Sequence, residues 1–189
     1  EQTPVRPYKE TDPLGGHDPY STSKACAELI LDSYYQSYFK DLGILCASVR
    51  AGNILGGGDF SKDRLLPDFV RAAQKRTTLV LRNPNHVRPW QYVLDALCGY
   101  LILGVYLLQG NSEYQGPWNF GPSESLYTTK QVIDLCTKYW NTSEESIVFG
   151  EQFTAPYETA VLQLDTSKAQ TRLSWKQRFT LEKTIQETL

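Results

Sequence analysis

The chain has 189 residues, of which 41% are hydrophobic and 21% are charged, and this composition is typical of a globular protein with a sizeable core. A formal net charge of -2 and the lack of a basic cluster argue against an electrostatic nucleic-acid binder. The longest apolar stretch, residues 96–108, is shorter than the about 20 residues that span a bilayer, and it predicts a buried helix.

The first predicted helix runs from about Asp18 to Lys40. Pro19 suits a first helical turn, Asp18 can cap it, and apolar residues follow at helical spacing. Residues 43–50 then form a nearly continuous apolar strand, of the kind that is buried on both faces of a parallel sheet. The glycine-rich residues 51–63 predict only a loop.

The rest of the chain alternates between short strands and helices. Further helices are predicted at residues 63–75, within 87–110, at 128–140, within 160–175 and at 180–189, and strands at residues 77–82, at 117–122 and at the start of 160–175. Such alternation indicates an α/β architecture with some parallel sheet.

No glycine-rich dinucleotide motif of the GxGxxG or GxxGxxG type opens a βαβ unit in this sequence. The GGGD at residues 56–59 precedes a loop and a helix, without an acidic ribose partner on a second strand. We therefore expect that the chain by itself cannot hold a dinucleotide pyrophosphate in the usual way.

No metal site or disulfide framework is predicted. The four cysteines lie far apart without CxxC spacing, and this usage fits a reducing, cytoplasmic setting. The two histidines, His17 and His86, also lack metal-ligand spacing. The chain starts without Met and opens on a polar loop, so we expect it to begin within a longer protein.

Tyr20 and Lys24 are the first candidates for chemistry. They are four residues apart in the predicted helix, so their side chains are neighbours. An ammonium beside a phenol favours the ionised phenol, which can exchange a proton with a sugar hydroxyl. Small residues fill the turn between the two and leave room for a ligand. Chance alone predicts roughly 0.6 such pairs in this composition, so two ordinary surface residues remain an alternative on spacing alone.

The string HDPYSTSKACAE around this pair closely resembles the active-site helix of the extended short-chain dehydrogenase/reductase family. In that family YxxxK supplies the catalytic Tyr and the Lys that contacts the nicotinamide ribose. The resemblance continues through VRAGNILGGGD, DRLLPDFVRAA, VRPWQYVLDAL, WNFGP and LDTSKAQTRLSW, and so covers nearly the whole chain. Within the family, DPLGGHDPYSTSK and NHVRPWQYVLDALCGYL are most similar to members that act on CDP-glucose.

The resemblance implies an α/β fold: the C-terminal part of a Rossmann-like doubly wound sheet plus a smaller mixed α/β substrate-binding domain. Residues 1–60 and 88–110 are assigned to the NAD-binding part, whose N-terminal half is expected to precede this chain, and residues 61–87 and 111–189 to nucleotide-sugar binding. NAD is the implied cofactor and CDP-glucose or a related nucleotide sugar the implied substrate. The implied reaction is 4,6-dehydration, and the chain alone is expected to be inactive.

The resemblance also implies site residues. Tyr20 and Lys24 become the catalytic and cofactor-binding pair. Substrate contacts are assigned to Asn53, Asp63, Arg64, Arg88 and Glu158. The match at Glu158 departs from the family, because Tyr157 replaces a His that usually precedes this Glu.

Each of these substrate residues has a plainer interpretation. Asn53 between glycine and apolar residues is often a turn residue, and Asp63 can be a simple helix cap. Arg64 opens the same predicted helix, whose exposed amides suit a phosphate. Arg88 is held extended by Pro89 and can clamp a diphosphate with two hydrogen bonds, or it can form a surface salt bridge.

Two other functions stay open at this point. A hexose 4-epimerase of the same family would share Tyr20, Lys24, Asn53 and Arg88, and a nucleotide-sugar binding module would need no hydride transfer. The helix that carries Tyr20 also has Leu29, Tyr34 and Tyr38, and in the family this region often pairs two subunits. The same patch is equally compatible with a buried core.

Overall fold

The computed structural model describes residues 6–122, 126–140, 147–149 and 159–189. Within these residues the α-helices are α1 Pro19–Tyr34, α2 Leu65–Lys75, α3 Val93–Leu108, α4 Thr129–Trp140, α5 Ser167–Leu173 and α6 Leu181–Thr188. The strands are β1 Ala47–Ala51, β2 Asn53–Leu55, β3 Leu79–Leu81, β4 Val87–Arg88, β5 Trp90–Tyr92, β6 Gly116–Phe120, β7 Tyr127–Thr128 and β8 Ile147–Phe149.

The start of α1 forms as predicted. Asp18 is the N-cap and accepts a hydrogen bond from the Ser21 N–H at 3.0 Å, and Pro19 lies in the first turn. Hydrogen bonds from Ser21 hold the pKa of Asp18 below its ordinary value. The predicted end near Lys40 is also confirmed, although the last turn, Tyr35–Phe39, is π-helical.

Strands β1 and β6 pair in parallel and have helices on both faces. Because side chains alternate along a strand, Trp118 and Phe120 share one face of β6, where they form a buried core with residues of α3 and α5. Ser48 and Arg50 share the other face of β1 and bond to Glu28 of α1. Helices α1 and α3 therefore lie on opposite sides of this sheet.

A second buried core lies beside β2, β3 and β5 and is closed by α2, α4 and α6. It contains Leu55, Leu66, Phe69, Leu79, Leu81, Trp90, Val132, Ile133, Cys136, Leu181 and Ile185. Two cores are compatible with the two-domain division expected from the sequence. However, β6 lies within residues 111–189, which were assigned to substrate binding, and yet it pairs with β1. The division itself stays a prediction.

The glycine-rich residues 51–63 are not only a loop, and that prediction was wrong. Asn53–Leu55 forms β2 and pairs in parallel with Trp90–Tyr92, with Asn53 opposite Trp90. A strand of three residues among glycines has too few positions to show a period in the sequence.

One fully buried side chain links the two sheets. Gln91 of β5 donates a hydrogen bond from Nε2 to the Phe120 carbonyl oxygen at 2.9 Å. The same oxygen accepts a hydrogen bond from the Gly52 N–H at 3.2 Å. The last residue of β6 is thus tied to both β5 and the segment between β1 and β2.

Helix α3 is buried on one side only, so the sequence prediction of a buried helix was wrong for its other side. Leu103 is buried, whereas Leu101 is 72% and Leu108 90% exposed. A helix that is apolar all round does not reveal from its sequence which side packs within the chain. In the described part of the chain, no helix is both long and apolar enough to cross a membrane.

Two glycines of α3 test how closely this helix packs on β6. A Cβ atom at Gly99 would overlap the Phe120 ring, whereas one at Gly104 would meet no atom within 4 Å. We expect Gly99→Ala to lower the free energy of unfolding by about 1–3 kcal/mol through overpacking. Gly104→Ala should raise it by about 0.5–1 kcal/mol, because glycine is entropically unfavourable inside a helix. Urea unfolding measures both changes, and equal effects would contradict the close approach at Gly99.

Candidate active site

The structure brings Tyr20 and Lys24 together at the N-terminal end of α1. Tyr20 is the second residue of the helix and is 64% exposed, and the Lys24 Nζ lies 5.4 Å from the centre of its ring. The phenol is therefore open to a ligand and has an ammonium group close by. Such a pair can accept or return a proton at a substrate hydroxyl.

The residues next to Tyr20 and Lys24 form hydrogen bonds that stabilise the start of α1. The Ser23 Oγ donates to the Tyr20 carbonyl oxygen at 2.7 Å, and the Ser21 hydroxyl donates to the Asp18 carboxylate. Gly16 lies so close that a Cβ atom there would overlap Ser21. The loop before α1 is thus packed against the first turn, which fixes the backbone from which Tyr20 projects.

Asn53 lies beside the Arg88–Pro89 segment, so the structure brings two of the predicted substrate residues into adjacent strands. The Asn53 N–H donates to the Pro89 carbonyl oxygen at 2.9 Å. Gly52 permits this approach, because a Cβ atom there would overlap that same oxygen. Asn53 is half-buried at the first position of β2, so its interpretation as a turn residue was wrong.

Arg88 is only 7% exposed, so the alternative that placed it on the surface was wrong. Its Nη1 donates to the Val87 carbonyl oxygen at 2.8 Å and to that of Ala160 at 3.4 Å, and its Nη2 lies 3.2 Å from the His86 Nδ1. The guanidinium is thereby fixed in orientation. Glu158 precedes Ala160 by two positions in the sequence and lies outside the described residues.

Asp63 and Arg64 lie at the start of α2, but the residue at the capping position differs from the prediction. Arg64 takes the N-cap position, without a hydrogen bond from its side chain, and Asp63 precedes it in the left-handed conformation with φ 59°. The interpretation of Asp63 as the helix cap was therefore wrong. Its exposed carboxylate lies 3.8 Å from the Arg82 Nη2. Arg82 thus lies beside the segment that leads into α2, whose first-turn amides have no partner within the helix.

Sequence reasoning missed the contact that fastens α1 to the sheet. The Glu28 carboxylate accepts hydrogen bonds from the Arg50 Nε and Nη2, both at 2.7 Å, and from the Ser48 Oγ at 3.0 Å. We call these three residues the α1 anchor. Burial raises the pKa of Glu28, but the hydrogen bonds from Arg50 and Ser48 outweigh it and hold the pKa below its ordinary value. The spacing of Glu28 from Lys24 places both on one face of α1, but nothing in the sequence indicates that Arg50 meets this face.

The sequence matches a known protein family over almost its whole length. The family profile described as GDP-mannose 4,6 dehydratase matches residues 2–188. CDP-glucose 4,6-dehydratase of Salmonella typhimurium is 40% identical over 184 residues, which cover 94% of this chain and 51% of that protein. The chain thus spans about half the length of this curated relative.

Solved structures share the fold. The dTDP-glucose 4,6-dehydratase of Bacillus anthracis, solved in complex with NAD, matches with a TM-score of 0.79 at 23% identity, over 98% of this chain and 55% of its own. The UDP-glucose 4-epimerase of Thermotoga maritima, solved with UDP-glucose, matches with a TM-score of 0.80 at 19% identity, over 100% and 57%.

These likenesses confirm the predicted fold class, the C-terminal portion of a Rossmann-like α/β fold. At such identities the solved structures support the fold alone. The family follows from the sequence profile, which extends over almost every residue. The chain belongs to the GDP-mannose 4,6 dehydratase family.

Proposed function

We propose that the native protein containing this chain is an NAD-dependent lyase that converts CDP-D-glucose to CDP-4-keto-6-deoxy-D-glucose. The observation that carries this proposal is the exposed Tyr20 beside Lys24, in a chain 40% identical to a CDP-glucose 4,6-dehydratase. Relatives of the same fold solved with NAD support the choice of cofactor.

Tyr20 and Lys24 fit the contacts that this cofactor needs. Both side chains are exposed at the same end of α1, and Lys24 offers three N–H donors to a ribose. NAD, when bound, supplies the hydride chemistry at the sugar. Tyr20 takes up the proton of the C4 hydroxyl as a phenolate, the form that the neighbouring Lys24 ammonium favours, and becomes a neutral phenol as the keto group forms.

The remaining predicted residues are proposed to hold the nucleotide sugar. Asn53 offers an amide at the start of β2, next to the segment that carries Arg88. Arg88 and Arg64 supply positive charge for the diphosphate, while Asp63 and Glu158 provide hydrogen-bond acceptors. Orientation of the sugar by these groups places its C4 hydroxyl for transfer of the proton.

Turnover by the native protein on CDP-, dTDP-, UDP- and GDP-glucose tests the reaction class. Formation of a 4-keto-sugar from CDP-glucose alone would support the proposal. Lack of a keto-sugar from all four would contradict it. Formation of a 4-epimer would instead favour an epimerase, and binding without any turnover would favour a binding module.

We expect Arg88→Lys to weaken CDP binding by about tenfold, because an ammonium cannot make the paired contacts of a guanidinium. Calorimetric titration with CDP and with cytidine measures the effect. The cytidine affinity should change little, since cytidine lacks the diphosphate. Equal losses for both ligands would contradict a diphosphate contact and indicate a general defect in folding.

We also propose that the native protein is a homodimer formed through the helix that carries Tyr20. Leu29, Tyr34 and Tyr38 are exposed, so this patch is not part of the core of the chain. We expect Tyr34→Asp to shift the protein from dimer to monomer in size-exclusion chromatography with light scattering. Leu108→Asp is the control, since Leu108 is also an exposed apolar residue but belongs to α3, on the opposite side of the β1–β6 sheet. A monomer with an unmodified Tyr34 would contradict the proposal.

A reducing, cytoplasmic compartment is proposed as well. All four cysteines lie among the described residues and are free thiols. Burial raises the pKa of the Cys136 thiol to about 12, which makes it unreactive. These thiols fit a protein that does not depend on disulfides.

A further inference from the structure

Within this chain, helix α1 has little apolar packing to hold it against the β1–β6 sheet. Of its sixteen residues, all of which the structure describes, only Ala25 is buried. A single buried methyl group restricts neither rotation of the helix about its axis nor sliding along the sheet. Within this chain, polar contacts must therefore contribute much of what fixes α1 to the sheet.

The α1 anchor supplies such a contact. Ser48 and Arg50 are alternate residues of β1, so both project from the same face toward α1. The two parallel hydrogen bonds between Arg50 and Glu28 define both a distance and an orientation, since a planar guanidinium meets a carboxylate in one geometry. The third bond, from Ser48, holds the carboxylate from a second direction.

The α1 anchor is linked to both strands of the β1–β6 sheet and to the segment that carries Asn53. The Arg50 Nη1 lies 3.4 Å from the Glu10 carbonyl oxygen, and the Glu10 carboxylate accepts from the Asn119 N–H of β6 at 3.0 Å. Strand β1 also runs through Gly52 directly into Asn53. Glu28 lies one helical turn from Lys24 and two turns from Tyr20. A shift of α1 relative to β1 at Glu28 therefore moves Tyr20 relative to Asn53, which follows β1 almost directly.

We propose that Glu28 is a positioning residue, whose paired hydrogen bonds to Arg50 set the depth and rotation of α1 and so hold Tyr20 in place relative to Asn53. This inference rests on the proposed function, because it concerns the geometry of the same proton transfer. Glu28 itself touches neither the reacting atoms nor the cofactor. A misplacement of about 1 Å in such a group is enough to lower a rate about 100-fold.

The kinetic test uses the native protein with Glu28→Gln, Arg50→Gln and the double variant. We expect each to lower kcat for CDP-glucose by about 10- to 100-fold, with KM changed less than about threefold, because α1 is displaced while the nucleotide contacts remain. The double variant should be no worse than either single one, since both remove the same contact. A rise in KM with unchanged kcat would overturn the positioning role, as would additive losses in the double variant.

Amide hydrogen exchange gives a second readout that does not depend on activity. Glu28→Gln should accelerate exchange in the first half of α1. Asp134→Asn is the matched control, because it removes the Lys130–Asp134 ion pair of 2.7 Å from α4, far along the chain from the site. Unchanged exchange in α1 would show that the Glu28–Arg50 contact does not hold the helix, and it would overturn the proposal. Lack of turnover by the unmodified protein would instead overturn the proposed function, and the positioning role with it.

Discussion

Tyr20→Phe is expected to lower kcat for CDP-glucose by about 10²- to 10⁴-fold, the usual contribution of a positioned general acid or base. Phenylalanine keeps the ring and removes only the hydroxyl, so the helix and the nearby Lys24 should be unaffected. KM should change little, because the predicted nucleotide contacts lie on other elements. Steady-state kinetics of the native protein, followed by keto-sugar formation, measures both constants.

Tyr38→Phe is the matched control. Tyr38 lies in the π-helical turn after α1 and is 61% exposed, close to the exposure of Tyr20. We expect this variant to keep normal kcat and KM. If Tyr20→Phe also retained full turnover, the proton transfer would have to occur at another group, and the proposed role of the pair would be wrong.

Gly52→Ala is expected to lower the free energy of unfolding by about 2–5 kcal/mol. A Cβ atom at this position would overlap the Pro89 carbonyl oxygen and lie 2.8 Å from the Pro89 Cγ. Because the overlapping oxygen belongs to the backbone, the two segments must separate, and the hydrogen bond from Asn53 to Pro89 is lost. Thermal and urea unfolding measure the change, and CDP binding should weaken in parallel.

Gly57→Ala provides the comparison within the same glycine-rich segment. A Cβ atom at Gly57 would have the Thr188 carbonyl oxygen as its nearest neighbour, at an ordinary 3.9 Å. We expect this variant to change stability by less than about 0.5 kcal/mol, as surface substitutions usually do. A similar loss of stability in both variants would contradict the close approach of Gly52 to Pro89.

The parts of the fold that depend on residues close together in the chain could be predicted from local sequence patterns. Asp18 and Pro19 predicted the start of α1, because capping and proline preferences act within one turn. The four-residue spacing between Tyr20 and Lys24 predicted that their side chains would be neighbours on the helix. These features were confirmed in the structure, and the chemical roles of the pair stay predictions.

The sequence did not reveal contacts between distant segments. Arg50 and Glu28 are separated by 22 positions, and nothing in either stretch indicates that β1 faces α1. Likewise, Asn53 forms a strand because Trp90 lies opposite it, 37 positions further along the chain. The exposed side of α3 could not be identified for a related reason, since its pattern is apolar in every direction.

Hydrogen bonds to the Phe120 carbonyl oxygen join the two buried cores of the chain. This oxygen receives hydrogen bonds from both Gln91 and Gly52, and the residue before Gln91 in β5, Trp90, is buried in the other core. A hinge between the two buried cores would have to break these hydrogen bonds, one of which comes from the fully buried Gln91 side chain. Within the described residues we therefore expect the two cores to keep their relative positions when a ligand binds.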